Sequence, residues 1–191
     1  MKKNNRFLYF IQEVAIVVIG VLIAVSIGKY KENTENEAYV EATLLAIENE
    51  IKTSRSDVDT VLNKHLALFE KLQTEAFNEE QTLAEFIASS GGFQVASVKN
   101  VSLRFFISNK AELLEFEIIS QLLDIEFMSD LLKTKVSRLS DFAYDNINER
   151  SEEVKIKFSY LLSDVIDGEQ TLLAAYQEFL DQNQATLKSD Q

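Results

Sequence analysis

The segment VEATLLAIENEIKTSRSDVDTVLNKHLALFEKL, Val40 to Leu72, carries apolar side chains at Val40, Leu44, Ile47, Ile51, Val58, Val61, Leu68 and Leu72. With Ser54 and His65 filling two slots, the steps alternate between four and three residues throughout. That alternation is a heptad seam, the pattern of a helix that buries one narrow stripe. The phase holds through Lys52-Thr53-Ser54-Arg55-Ser56-Asp57, so the spacing predicts one continuous helix rather than a break capped by the Ser/Thr cluster. A helix of this kind draws its stability from covering the stripe against other helices. The seam therefore points to a helical bundle.

Upstream stands FLYFIQEVAIVVIGVLIAVSI, Phe7 to Ile27, apolar apart from Gln12, Glu13 and Ser26. At ~1.5 Å per residue it spans ~31 Å, the thickness of a bilayer's hydrocarbon core. Ala24-Val25-Ser26 imitates a signal-peptidase site, but the run exceeds the ~7–15 residues of a signal h-region and contains Glu13. It reads as a retained anchor. Lys2, Lys3 and Arg6 precede it, and Lys29 and Lys31 follow it. Acidic residues count little in setting orientation, so this bias favours a cytoplasmic N-terminus and an exported C-terminal domain. No later stretch is long and apolar enough to span again, and a single pass is expected.

Removing Lys2, Lys3, Arg6 and Glu13 from the totals leaves 16 basic against 30 acidic residues, a net charge of −14 for the remainder. Such a surface repels nucleic acid and anionic headgroups, whose binding requires cationic side chains against phosphates. The expected partners are the membrane and proteins, either a second copy or a different chain. No nucleic acid, small-molecule ligand or cofactor is expected. The absence of cysteine removes disulfides, thiolate chemistry and cysteine-type zinc sites. With no proline and only five glycines, nothing interrupts long helices, and an all-β chain would need more turn residues.

Downstream of the seam, Asn78 with Gln81 reads as a capping box opening a short helix through Leu83, Phe86 and Ile87. Ser89-Ser90-Gly91-Gly92 ends that helix. Phe93 to Ser108 reads as a loop with at most a helical turn, laying Phe93, Val95, Val98, Phe105 and Phe106 on the bundle. Asn109 with Glu112 forms the next capping box. From there Leu114, Ile118, Leu122, Ile125, Met128, Leu132, Val136, Leu139 and Ala143 make a second stripe. Phe116, Ile119, Leu123, Phe127, Leu131 and Phe142 widen it into the face of a core helix. Residues 145–150 are polar enough to turn, and Ser151 caps a last helix with Glu152 and Glu153 at its positive end. That helix carries Val154, Phe158, Leu161, Leu162, Val165, Leu172, Tyr176, Phe179 and Leu180. Gly168 on its apolar face marks either a close crossing or a break. The chain becomes polar from Gln182, and residues 188–191 read as a frayed tail.

The anchor pattern Glu13-Val14 … Val17-Val18-Ile19-Gly20-Val21-Leu22-Ile23-Ala24-Val25 resembles the N-terminal signature of an uncharacterised family of single-pass, mostly Bacteroidota membrane proteins, a domain of unknown function. That signature reads roughly Gly-Glu-Ile…Val-x-x-Gly-Ile-Leu-Ile-Ala-Leu followed by Asn-Asn-Trp. Here Gln12 stands for the glycine and Gly28-Lys29-Tyr30 for the final tripeptide. The resemblance covers about 25 of the 191 residues and implies an anchored helical domain without implying an activity.

The inventory argues against an enzyme. His65 is the sole histidine and sits on the seam, where a polar core residue is the simple reading. Asp124, Glu126 and Asp130 read as the solvated side of a helix. Glu13 differs, because an ionisable group inside a span is costly and marks a functional candidate. Gly20, Ala24 and Gly28 recur every four residues, and Glu13 lies seven before Gly20. One side of the anchor thus carries a small-residue ridge and the charge, a face suited to helix–helix contact in lipid.

The chain therefore reads as all-α. Residues 1–6 form a cytoplasmic start, 7–28 a transmembrane helix, 29–39 a polar stalk and 40–187 a three- to four-helix bundle. The expected role is that of a structural or interaction subunit of a bacterial envelope, anchored in the inner membrane with a periplasmic domain. The alternatives are a sensor or ligand-binding module, or a subunit of an ion-driven or channel complex using Glu13.

Overall fold

A computed structural model describes residues 4–75 and 80–188, with the backbone alone for residues 4–8, 75 and 184–188. The described residues form five α-helices and no strand: α1 (Asn4–Glu75), α2 (Leu83–Ser89), α3 (Val101–Lys110), α4 (Phe116–Asp145) and α5 (Glu152–Lys188). The protein is all-α, as the spacing predicts. Two compact units divide the chain, residues 1–42 and 43–191.

In the first unit every described side chain from Tyr9 to Glu35 is exposed, Val17 and Leu22 among them. This part of α1 is long and apolar enough to cross a membrane. Exposed apolar side chains of this kind suit a lipid solvent, where the helix satisfies its own backbone polar groups. The Ser26 hydroxyl donates to the Leu22 carbonyl at 2.8 Å, so it too is satisfied within the helix.

The second unit is built on the seam. Leu44, Ile47, Ile51, Ser54, Val58, Val61, His65, Leu68 and Leu72 are all buried, and α1 runs unbroken through the Ser/Thr cluster. The cluster is tolerated because its polar groups find partners without disturbing the helix. Thr53 donates to the Asn49 carbonyl at 2.8 Å, while buried Ser54 accepts the Lys99 amide at 3.0 Å. Burial of each Val, Leu or Ile on this stripe contributes about 1.5–3 kcal/mol.

The matching seam of α5 is Lys155, Phe158, Leu162, Val165, Glu169, Leu172, Tyr176, Phe179 and Asn183, all buried and again stepping by three and four. Helix α4 contributes Leu122, Ile125, Ser129, Leu132, Val136 and Leu139. Here the structure corrects the sequence reading, since Ser129 rather than Met128 holds the inward slot; its hydroxyl donates to the Ile125 carbonyl at 2.7 Å. Across the α4–α5 pair, Lys135 binds Asp164 at 2.8 Å and Asn183 reaches Gln121 at 3.4 Å. One number rises as the other falls, so the two helices are antiparallel. At Gly168 a β-carbon would stand 3.2 Å from Leu132 Cδ1 and 3.3 Å from Lys135 Cδ. Gly168 thus marks a close crossing inside a continuous helix. The polar residues from Gln182 continue that helix to Lys188, and residues 189–191 lie outside the described residues.

The caps differ in register from the expectation. Asn78 lies outside the described residues, and the box that opens α2 is Thr82 with Glu85, whose carboxylate accepts the Thr82 amide at 2.8 Å. These hydrogen bonds hold the Glu85 carboxyl below its ordinary range, with Arg150 adding a smaller push. The next two α2 amides, Leu83 and Ala84, donate to the carbonyls of Glu149 and Ile147 in the α4–α5 turn. At the other end Gly91 and Gly92, with φ of 93° and 82°, donate to the carbonyls of Ala88 and Ile87. This is the double hydrogen bond of a Schellman motif, and the glycine stop is where the sequence puts it. The Asn109–Glu112 box does not form. Asn109 lies inside α3 and donates to the Phe105 carbonyl, and α4 starts at Phe116 without a side-chain cap.

The segment read as a loop from Phe93 to Ser108 divides in two. Residues 92–100 are irregular and residues 101–110 are helix α3. The irregular part runs back along α1 as an extended strap. Its contacts fall on descending α1 positions, Gln94 on His65, Ser97 on Asp57 and Lys99 on Ser54, and the first turn of α3 continues the path with Ser102 on Glu50. Two strap amides that no sheet serves, those of Ser97 and Lys99, are taken up by the α1 side chains Asp57 and Ser54.

Candidate functional site

Three features of the chain carry polar or exposed groups that a simple bundle does not require. The first lies on α4. Phe116 is 85% exposed, Phe127 68%, and Leu123 and Leu131 44% each. The sequence reading assigned these four to the core; the structure places them on the outside, while Ile119 and Phe142 are half-buried. The reason is geometric. The buried seam already occupies one side of the helix, and at 100° per residue the four lie within about 80° of one another on another side. Exposed apolar groups scattered singly need no explanation, but a row of four with two phenylalanines marks an interaction surface. Arg104 of α3 lies along one edge of the row, binding Glu126 at 2.7 Å and Asp130 at 2.9 Å, with Lys133 on Asp130 at 3.1 Å. The hydrogen bond to Glu126, with the nearby carboxylate charges, pushes the Arg104 guanidinium further above its usual range. Of the acids read as solvated, Asp124 and Asp130 are exposed and Glu126 is half-buried in this network.

The second feature is the buried polar layer around His65. Its Nδ1 lies 3.0 Å from both carboxylate oxygens of Glu169, and its Nε2–H donates to the Gln94 carbonyl at 2.9 Å. Phe93 stacks on the ring at 5.0 Å between centroids. A carbonyl only accepts, so Nε2 must carry a proton, and the pair with Glu169 holds the other ring nitrogen. Both nitrogens are engaged, and both side chains are about 1% exposed. Sequence reasoning placed His65 in the core and missed Glu169. The signal was present, because Glu169 fills the slot between Val165 and Leu172 as His65 fills the one between Val61 and Leu68.

Tyr176 is fully buried nearby on α5. Burial pushes its phenol up, and the facing Ser129 and Ser54 hydroxyls pull it back in part. They stand close enough to act on its charge, yet no described atom meets hydrogen-bonding geometry with Tyr176 Oη. Tyr176→Phe keeps the ring and removes an unpartnered polar atom. It is expected to leave stability unchanged or raise it by up to ~1 kcal/mol in denaturant titrations. The native phenol favours its protonated form in the fold. Its contribution is therefore complete below the unfolded-state value of about 10 and is lost as pH rises beyond it. The phenylalanine variant should lose less stability above that pH than the native chain.

A groove of about 640 Å³ lies between α1 and the strap, lined by Lys52, Thr53, Ser56, Asp57, Thr60, Ser97 and Lys99. Its groups are largely spoken for. Lys52 binds Glu48 at 2.5 Å, and Asp57 accepts the Ser97 amide at 2.5 Å. Among the described residues no group of three or more His, Cys, Asp or Glu side chains is placed to hold a metal ion.

The third feature is the exposed apolar part of α1. Glu13, Gly20, Ala24 and Gly28 are all exposed on α1, and nothing lies within 4 Å of a β-carbon built on Gly20 or Gly28. Helical geometry keeps the four within about 80° of one another. No protein-family model, curated protein or solved structure matches the chain.

Proposed function

We propose that the chain is a membrane-anchored accessory subunit that engages a protein partner through the outer face of α4. The observation that supports this is the exposed row Phe116, Leu123, Phe127 and Leu131 on a helix whose seam is already buried. A single N-terminal span holds it in a bacterial inner membrane, its start cytoplasmic and its bundle periplasmic, as the distribution of basic residues favours. Within the bilayer the side bearing Glu13, Gly20, Ala24 and Gly28 contacts a neighbouring helix, where small residues allow close backbone approach and the carboxyl is shielded from lipid.

The test is site-specific photocrosslinking in native membranes. A photoreactive residue at Phe127 is expected to give a discrete adduct with another polypeptide. The same residue at Asp59, exposed on α1, is expected to give none. If position 127 gives no adduct, or no more than position 59, the face is not an interaction surface.

A further inference from the structure

We infer that the α4 face receives an amphipathic helix of a partner protein whose apolar ridge is flanked by lysine or arginine. The inference rests on reading that face as an interaction surface and adds the chemistry of its occupant.

Phe116, Leu123, Phe127 and Leu131 lie within 16 residues, a rise of about 22 Å or four helical turns. That is the length over which a partner helix presents anchors at i, i+4, i+7 and i+11 to a groove or ridge. The two edges of the row differ electrically. On one edge Glu126 and Asp130 are matched by Arg104 and Lys133, so four charges sum to zero. On the other stand Glu117 and Asp124, with Glu112 and Glu115 just ahead of the helix. All four are exposed, and none makes an ion pair with a described residue. The apolar row is thus bordered by uncompensated acid along one side and at its N-terminal end.

This asymmetry selects among occupants. A second copy brings the same acids and, in the part that follows the apolar segment, the same net charge of −14, so its long-range field opposes association. Anionic lipid and nucleic acid are repelled for the same reason. A helix with basic residues beside an apolar ridge is drawn in by the acid edge and held by the phenylalanines. Rim charges of this kind set the approach rate and partner choice, while the buried aromatic anchors set how long the complex lasts.

The test uses the full chain in nanodiscs of neutral phosphatidylcholine. Three labelled helical peptides share one leucine ridge and differ only in flanks of lysine, glutamine or glutamate. Fluorescence anisotropy should show the lysine peptide binding at least ten times more tightly than the other two. Its affinity should fall at least ten-fold with Phe127→Ser and several-fold with Glu117→Gln plus Asp124→Asn. Neutralising Asp59 and Glu70, exposed acids on α1, should change little. Each variant alters exposed side chains only, and an unchanged melting temperature verifies the fold.

Equal binding of the glutamine peptide would overturn the basic-partner chemistry and leave the face standing as an interaction surface. A dimer in sedimentation that Phe127→Ser dissociates would overturn it in favour of a second copy. Binding of the lysine peptide that Phe127→Ser leaves intact would overturn both the chemistry and the face.

Discussion

Glu169→Leu is expected to destabilise the bundle by about 3–5 kcal/mol, and His65→Leu by a similar amount. The double variant is expected to cost far less than the sum of the two. Each single change strands one member of a pair that is about 1% exposed. With leucine at 169, the imidazole keeps its bond to the Gln94 carbonyl but loses the carboxylate on Nδ1. With leucine at 65, the Glu169 carboxylate faces an apolar layer with nothing to accept, and it is costly either charged or protonated. Replacing both restores an apolar layer of roughly native volume between Val61 and Leu68 on α1 and between Val165 and Leu172 on α5. The interaction energy in this double-mutant cycle should be several kcal/mol. Glu169→Gln should cost less than Glu169→Leu, because the amide still pairs with a neutral imidazole whose Nε2 keeps its proton. Urea denaturation of the full chain in detergent, followed by far-UV circular dichroism, reads all four values. Additive single costs would mean that the pair does not act as one buried unit.

What periodicity reveals, and what it hides, is clearest on α1. Its seam is legible down to the polar slots because the 4-3 spacing is a direct consequence of one narrow face being covered. Ser54 and His65 are buried where the phase places them. The same rule applied to α5 would have brought in Glu169, but a stripe traced through apolar residues alone skips a carboxylate. Ser129 was passed over for Met128 for the same reason. A small hydroxyl whose proton goes to its own helix costs little to bury, so hydrophobicity does not rank it.

Other features depend on contacts distant in the sequence. The strap at residues 92–100 has no period of its own. Its path is set by the acceptors Ser54 and Asp57 on α1, 45 and 40 residues away from their donors. Asn78–Gln81 and Thr82–Glu85 match the same capping pattern four residues apart. In the fold, helix α2 begins at Leu83, where its first amides meet the carbonyls of the α4–α5 turn. The α4 face is the instructive miss. Phe116 and Phe127 look like core residues because hydrophobicity reports that a side chain avoids water. Whether this chain or another supplies the cover is a separate matter.

The largest effect is expected from charge placed on the α1 seam. Ile47→Asp and Val61→Asp should each cost about 4–5 kcal/mol or more at neutral pH, against a total stability of about 5–15 kcal/mol for a typical domain. Two terms combine. The native side chains are 1% and 4% exposed, so their apolar burial is forfeited. The carboxylate then arrives in a layer with no assigned cation, and it must be desolvated or take up a proton. The second term has a signature that loss of packing lacks. Burial raises the folded-state value of the introduced carboxyl above its unfolded value of about 3.9. The folded form then binds the extra proton, and the variant recovers stability as pH falls toward that value. Relative to the native chain, the destabilisation should be smaller at pH 5 than at pH 7. Leu66→Asp, one step off the seam at a position 40% exposed, should cost much less and show little of this recovery. Equal costs at positions 61 and 66, with no dependence on pH, would mean that the seam is not buried and that α1 does not form the core of the bundle.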